Sequence, residues 1–217
     1  MELTTFRPGG LALTQKAAEA IDLTAGERVL DVGCGLGTSL LFLQAHFGIE
    51  PYGIDLSAAA AENAAPHFSP GHILQADACA LPYDDGFFDA VFFECVLTLT
   101  ADPEKALAEA KRVLRPGGRL VITSLWACAG LSDGLCAQGR IDRKALLTAL
   151  AQLGFSPLLE ENETACLRQF IADILFRFGS LENYIEEANR SLSGCILTCD
   201  VPKRGTGYLL LAAEAVK

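Results

Sequence analysis

The residues of this chain best placed for chemistry are carboxylates at the ends of short apolar runs, with glycines beside them. Val29-Leu30-Asp31-Val32 leads into Gly33-Cys34-Gly35-Leu36-Gly37, and Thr38 then opens a helix-length pattern. Glycines in such a turn let the backbone bend sharply and approach a ligand with no Cβ in the way. The unpaired N–H groups of the following helix favour an anionic group. Tyr52-Gly53-Ile54 ends in Asp55, which can accept both hydroxyls of a ribose, and Asp77 follows a third apolar run in Gln75-Ala76-Asp77-Ala78. The glycine spacing is G-x-G-x-G, not the G-x-G-x-x-G of a dinucleotide site. Taken singly, each acid also has a plainer reading: Asp55 caps a turn, or Asp77 is a solvated loop carboxylate.

These acids need strands that deliver them to one edge, and the pattern supplies them. Short apolar runs alternate with helix-length stretches, the signature of a parallel α/β sheet. Strands are expected at Arg28 to Val32, Tyr52 to Ile54, His72 to Gln75, Phe88 to Phe93, Arg119 to Ser124, Phe155 to Leu159 and Gly207 to Ala213. Helices are expected from about Thr38 to Phe47, after the cap Ser57, after Asp102 with Pro103 at the first position, and from Asp142 to Gly154. Arg115-Pro116-Gly117-Gly118 reads as a tight turn into the fifth strand. Between strands six and seven, Leu167, Phe170, Ile171, Ile174, Leu175 and Phe178 recur at helical spacing. Gly179 ends that helix and Ser180 starts another. The apolar stripe serves equally as ordinary core or as a cover over a ligand. The chain shows no linker or repeat, so residues 1–217 are expected to form one domain, with a helical insertion at about 164–190.

Asp31 with the glycine turn, Asp55, Asp77, Phe88-Asp89-Ala90-Val91 and Leu114-Arg115-Pro116-Gly117-Gly118 occur in the order and spacing of class I S-adenosylmethionine-dependent methyltransferases, which residues 27 to 125 resemble. The resemblance implies a Rossmann-like seven-stranded mixed sheet with helices on both faces and strand seven antiparallel between strands five and six. It implies S-adenosyl-L-methionine bound by Asp31, Gly33, Cys34, Gly35 and Gly37 on one side. On the other, it implies contacts from Asp55, Leu56, Asp77, Ala78 and Glu94. The opening Phe6-Arg7-Pro8-Gly9-Gly10 also resembles that of a little-characterised methyltransferase subfamily from anaerobic bacteria.

The sulfonium methyl is intrinsically electrophilic, so alignment does most of the work, up to roughly 7–11 kcal/mol in good cases. A neutral oxygen or nitrogen nucleophile also needs a base. His46, His67 and His72 are expected at the opposite end of the sheet. Glu94, at the end of strand four, is the base candidate, with a loop or helix contact as the plainer reading. Phe92-Phe93-Glu94-Cys95-Val96-Leu97 lacks the D/N-P-P-Y pattern of adenine N6 methylases. Arg7, Cys95, Cys128, Cys195 and Cys199 are the candidates on the substrate side. The segment Arg7 to Thr14 is expected to close over the cofactor. Thiols suit a soft acceptor such as trivalent arsenic, while small-hydrophobe packing is the plainer account of cysteines.

Lys plus Arg number 17 against 27 Asp plus Glu, a net charge of −10. Such a chain repels phosphate backbones and anionic membrane surfaces, so the expected partner is a small molecule. No apolar run is long enough for a membrane span, no metal-ligand spacing stands out, and oligomeric state is left open. The start lacks the layout of a signal peptide. Eight cysteines then read as reduced thiols in a cytoplasmic protein. A binding protein that holds the cofactor without turnover is the alternative to an active transferase.

Overall fold

A computed structural model describes residues 5, 7–128, 131, 134–137, 139–191 and 205–216, with no side-chain description for 188–191. Its main sheet is built from β1 (Arg28–Val32), β2 (Glu50–Asp55), β3 (Ile73–Gln75), β4 (Phe88–Glu94), β5 (Leu114–Ala127), β8 (Phe155–Asn162) and β9 (Thr206–Ala215). The order across it is β3-β2-β1-β4-β5-β9-β8. The first five strands run parallel, and β9 is antiparallel to both β5 and β8. This is the Rossmann-like seven-stranded mixed sheet expected from the motifs. Two short strands, β6 (Cys136–Ala137) and β7 (Arg140–Ile141), add a hairpin that meets β5 at Trp126↔Ile141.

Both faces of the sheet are covered, which is why the strands read as continuous apolar runs. Alternate residues of each strand enter opposite cores. On β4, Val91 and Phe93 pack with α4 (Pro103–Val113) and α5 (Arg143–Gln152), while Ala90 and Phe92 pack with α1 (Gly10–Ala20), α2 (Thr38–Phe47) and α3 (Ala58–Ala64). β9 divides the same way, Leu209 and Leu211 against Tyr208 and Leu210. Ser57, Asp102 and Asp142 each accept a backbone N–H at the N-terminus of the helix that follows.

Three features depart from the pattern read along the chain. Helix α1 was not foreseen beyond a covering segment; its buried face is Leu13, Thr14, Ala17 and Ala18. Arg115 to Gly118 form a bulge inside β5, not a turn before it, because Phe88 pairs with Leu114 while Ala90 pairs with Arg119. The β6–β7 hairpin carried no strong strand signal. Between β8 and β9 lie α6 (Thr164–Phe178) and α7 (Leu181–Ser191), ended and joined at Gly179 as expected. No helix among the described residues is long and apolar enough to cross a membrane.

Candidate active site

The carboxyl ends of β1, β2 and β4 open into a cleft of about 600 Å³. The glycine turn forms its floor. Gly33 has φ 75°, and a Cβ there would collide with a methyl of Val96. Gly37 has φ 74°, and a Cβ there would lie 2.6 Å from the ring of Phe68. Side chains are excluded at both points by conformation and by contact. The amides of Gly33 and Cys34 both donate to the carbonyl of Ile54, which clips the turn to the end of β2.

Asp55 is buried, and its two carboxylate oxygens accept the amides of Gly35 and Ser57, each at 2.9 Å. It is therefore fixed against the turn with lone pairs to spare for a ligand. Leu56 beside it is 70% exposed and lines the cleft. Asp77 accepts the amide of Cys79 at 2.8 Å and is exposed, with Ala78 buried next to it in the cleft wall.

Asp31 is only 4% exposed and faces the same cavity. Burial pushes its carboxyl well above the ordinary range; Glu94 adds to the shift, Arg7 opposes it, and Asp55 adds further. A buried acid in this condition suits a cationic ligand that restores its ionised form. The donor set thus fits S-adenosylmethionine: a carboxyl for an ammonium, helix-start amides at α2 for a carboxylate, and a fixed acid for ribose hydroxyls.

Glu94 takes a different place from a base. Its side chain is 4% exposed and pairs with Arg7 at 2.8 Å. Ser39 donates to the same oxygen at 2.6 Å, and Thr14 donates to the other at 3.0 Å. The Arg7 guanidinium also bonds Ser39, Thr14 and the carbonyl of Gly10. Burial works against its charge, but the nearby Glu94 carboxylate, together with smaller contributions from Tyr208, Cys95 and Asp31, outweighs this and holds it protonated. The pair therefore ties the segment before α1 to the start of α2 and the end of β4. Glu94 is a positioning residue in this geometry, since its oxygens are committed to three side-chain donors. Sequence reading missed this, because the partners lie far apart along the chain.

The histidines lie away from the cleft, as expected: His46 bonds the carbonyl of Phe42 and His72 that of Pro51, and neither they nor His67 line it. Of the proposed substrate-side thiols, Cys95 lines the cleft, in the left-handed region at φ 63° and 2.8 Å from the Tyr208 hydroxyl. Cys128 does not; it is exposed just past β5. Cys195 and Cys199 lie outside the described residues. No group of three or more metal-binding side chains occurs among the described residues. Of the two segments expected to cover the cofactor, Arg7 and Pro8 and residues of α6 and α7 line the cavity.

Residues 30–122 match the methyltransferase domain family. An O-methyltransferase, cnsE of Penicillium expansum, is 36% identical over 160 residues, 71% of this chain and 54% of the relative. The chain shares its fold with a geranyl diphosphate methyltransferase solved with S-adenosylmethionine, at TM-score 0.75 and 21% identity over 95% of this chain and 85% of the other. It is also similar to the [4+2]-cyclase SpnF, at TM-score 0.72 and 27% identity over 95% of this chain and 81% of the other. The matched regions span 32%, 66% and 47% of three of the curated relatives. Residues 30–122 thus carry a methyltransferase domain, and the chain as a whole has the fold of a methyltransferase solved with S-adenosylmethionine.

Proposed function

We propose that this chain transfers a methyl group from S-adenosylmethionine to a small-molecule acceptor. The observation that carries the reading is Asp31, a buried carboxyl beside the glycine turn and facing the cleft, with the anchored Asp55 on the adjoining strand end. S-adenosylmethionine supplies an electrophilic methyl group when bound. Asp31 takes the ammonium end, the first amides of α2 take the carboxylate, and Asp55 takes the ribose hydroxyls. Asp77 and Ala78 flank the adenine, and Leu56 packs over it. Arg7 and Glu94 hold the N-terminal segment across the cavity, which keeps water from the reacting centre. Acceleration then comes from aligning the acceptor in line with the sulfur–carbon bond.

The acidic cleft and the net charge of −10 favour a small molecule over nucleic acid or an anionic membrane, and the thiol content fits a reducing, cytoplasmic setting. Calorimetric titration with S-adenosylhomocysteine, together with detection of its release from S-adenosylmethionine during an acceptor screen, tests the reading. Binding without any release across the screen would favour the second reading, a binding protein that holds the cofactor without methyl transfer. The similarity to a [4+2]-cyclase and the commitment of Glu94 to structural hydrogen bonds support keeping that reading. Arsenite as acceptor has weak support, since Cys34 and Cys95 are the cysteines lining the cleft among the described residues.

A further inference from the structure

The cleft is divided in character. Its carboxylates come from the ends of β1, β2 and β4 and the loop after β3, where the cofactor is placed. The opposite side is apolar. Leu167, Phe170, Ile171 and Ile174 follow one face of α6 into the cavity, and Tyr184 of α7 packs edge-on against Phe170 at 5.7 Å between ring centres. Leu99, 52% exposed, faces the same cavity from the segment after β4.

The charges around this space are also one-sided. Asp31, Asp55, Asp77 and Glu94 line it, and Arg7 is the one cation among the described lining residues, with its guanidinium held by Glu94. A phosphorylated or carboxylated acceptor would meet carboxylates with no uncommitted cation there to receive it. It would also bury its charge against hydrocarbon. Two hydroxyls near this wall already donate within the protein. That of Thr100 donates to the carbonyl of Leu97 at 2.8 Å, and that of Ser124 donates to the carbonyl of Leu125 at 3.3 Å. Each keeps lone pairs that can accept a hydrogen bond from a donor on the ligand.

We propose that the methyl acceptor is a neutral small molecule with a hydrocarbon or aromatic body and a single hydrogen-bond donor, seated between Leu99 and the α6–α7 face. The proposal rests on the methyltransferase reading above and makes the inserted helices the element that selects the acceptor.

The test uses the full chain saturated with S-adenosylhomocysteine, and fluorescence titration with two probes of one ring system, 1-naphthol and 1-naphthyl phosphate. The expected result is saturable binding of 1-naphthol, with 1-naphthyl phosphate at least tenfold weaker. Leu99→Asp, at an exposed position that tolerates substitution, weakens 1-naphthol at least fivefold. Ile171→Asn on the opposite wall does the same, and both variants bind S-adenosylhomocysteine within twofold of the parent. Equal or tighter binding of the phosphate, or unchanged 1-naphthol binding in both variants, overturns the proposal while leaving the methyltransferase reading intact. Failure of the parent to bind S-adenosylhomocysteine overturns that reading, and this inference with it.

Discussion

Replacing Arg7 by Met removes the cation from a pair whose side chains are 9% and 4% exposed. Glu94 is then left buried with the hydroxyls of Ser39 and Thr14 as donors, near the buried carboxyl of Asp31. Removing one member of such a pair costs about 3–5 kcal/mol, because the remaining charge has lost its compensation. For a chain of this length each kcal/mol lowers Tm by roughly 2–4 °C, so Arg7→Met should melt roughly 6–20 °C below the parent. The double variant Arg7→Met/Glu94→Gln carries neither charge and should recover at least half of that loss, which identifies the pairing and not the packing of the arginine stem. Thermal unfolding followed by circular dichroism reads the global cost. Limited trypsin digestion reads the local one, as faster cutting after Lys16 if the N-terminal segment peels away while the sheet holds. A single variant that melts within ~2 °C of the parent and shows unchanged cutting would refute the argument that this pair holds the segment over the cleft.

Affinity for S-adenosylhomocysteine should rise with pH above the ordinary aspartate range, by up to about tenfold per pH unit, because the ligand's ammonium group needs Asp31 ionised and burial resists that. The folded chain binds the extra proton in that window, so stability without ligand falls as pH rises through it; calorimetry on Asp31→Asn should show a weaker and flatter profile, and an unchanged profile counts against the assignment. Asp55→Ala should lower affinity at least tenfold in a folded protein, since charge-assisted bonds to ribose hydroxyls are worth about 1.5–3 kcal/mol each; unchanged affinity would place the ribose elsewhere. Arsenite should leave alkylation of Cys128 unaltered in mass spectrometry, as that thiol is exposed and away from the cleft; protection would instead reveal gathered thiols.

The parts of this protein legible along the chain are those whose chemistry is local. A strand that ends in Asp31, a turn that only glycine can make at Gly33 and Gly37, and helix caps at Ser57, Asp102 and Asp142 are each specified within a few residues, so spacing alone locates them. The role of Glu94 is not of that kind. Its position at the end of β4 marks it as facing the cleft, which made it a candidate base. What it does there depends on Arg7, Thr14 and Ser39, and the first two belong to a segment that joins no strand and so leaves no period-two signal. Helix α6 stands between these cases. Its apolar spacing was plain, and core packing and cover predicted the same stripe. In the fold the two readings coincide: Leu167 is buried with Tyr208 and Leu210 of β9, and one turn on, the same face lines the cleft at Phe170 and Ile171. The packing that anchors the helix to the sheet therefore also sets the shape of this side of the cleft. Substitutions at Phe170 or Ile171 can change that wall while the buried contacts of Leu167 keep the helix in place. If the acceptor sits on this wall as proposed, its choice can vary on a fixed support, whereas the motifs that identify the cofactor lie within residues 27 to 125.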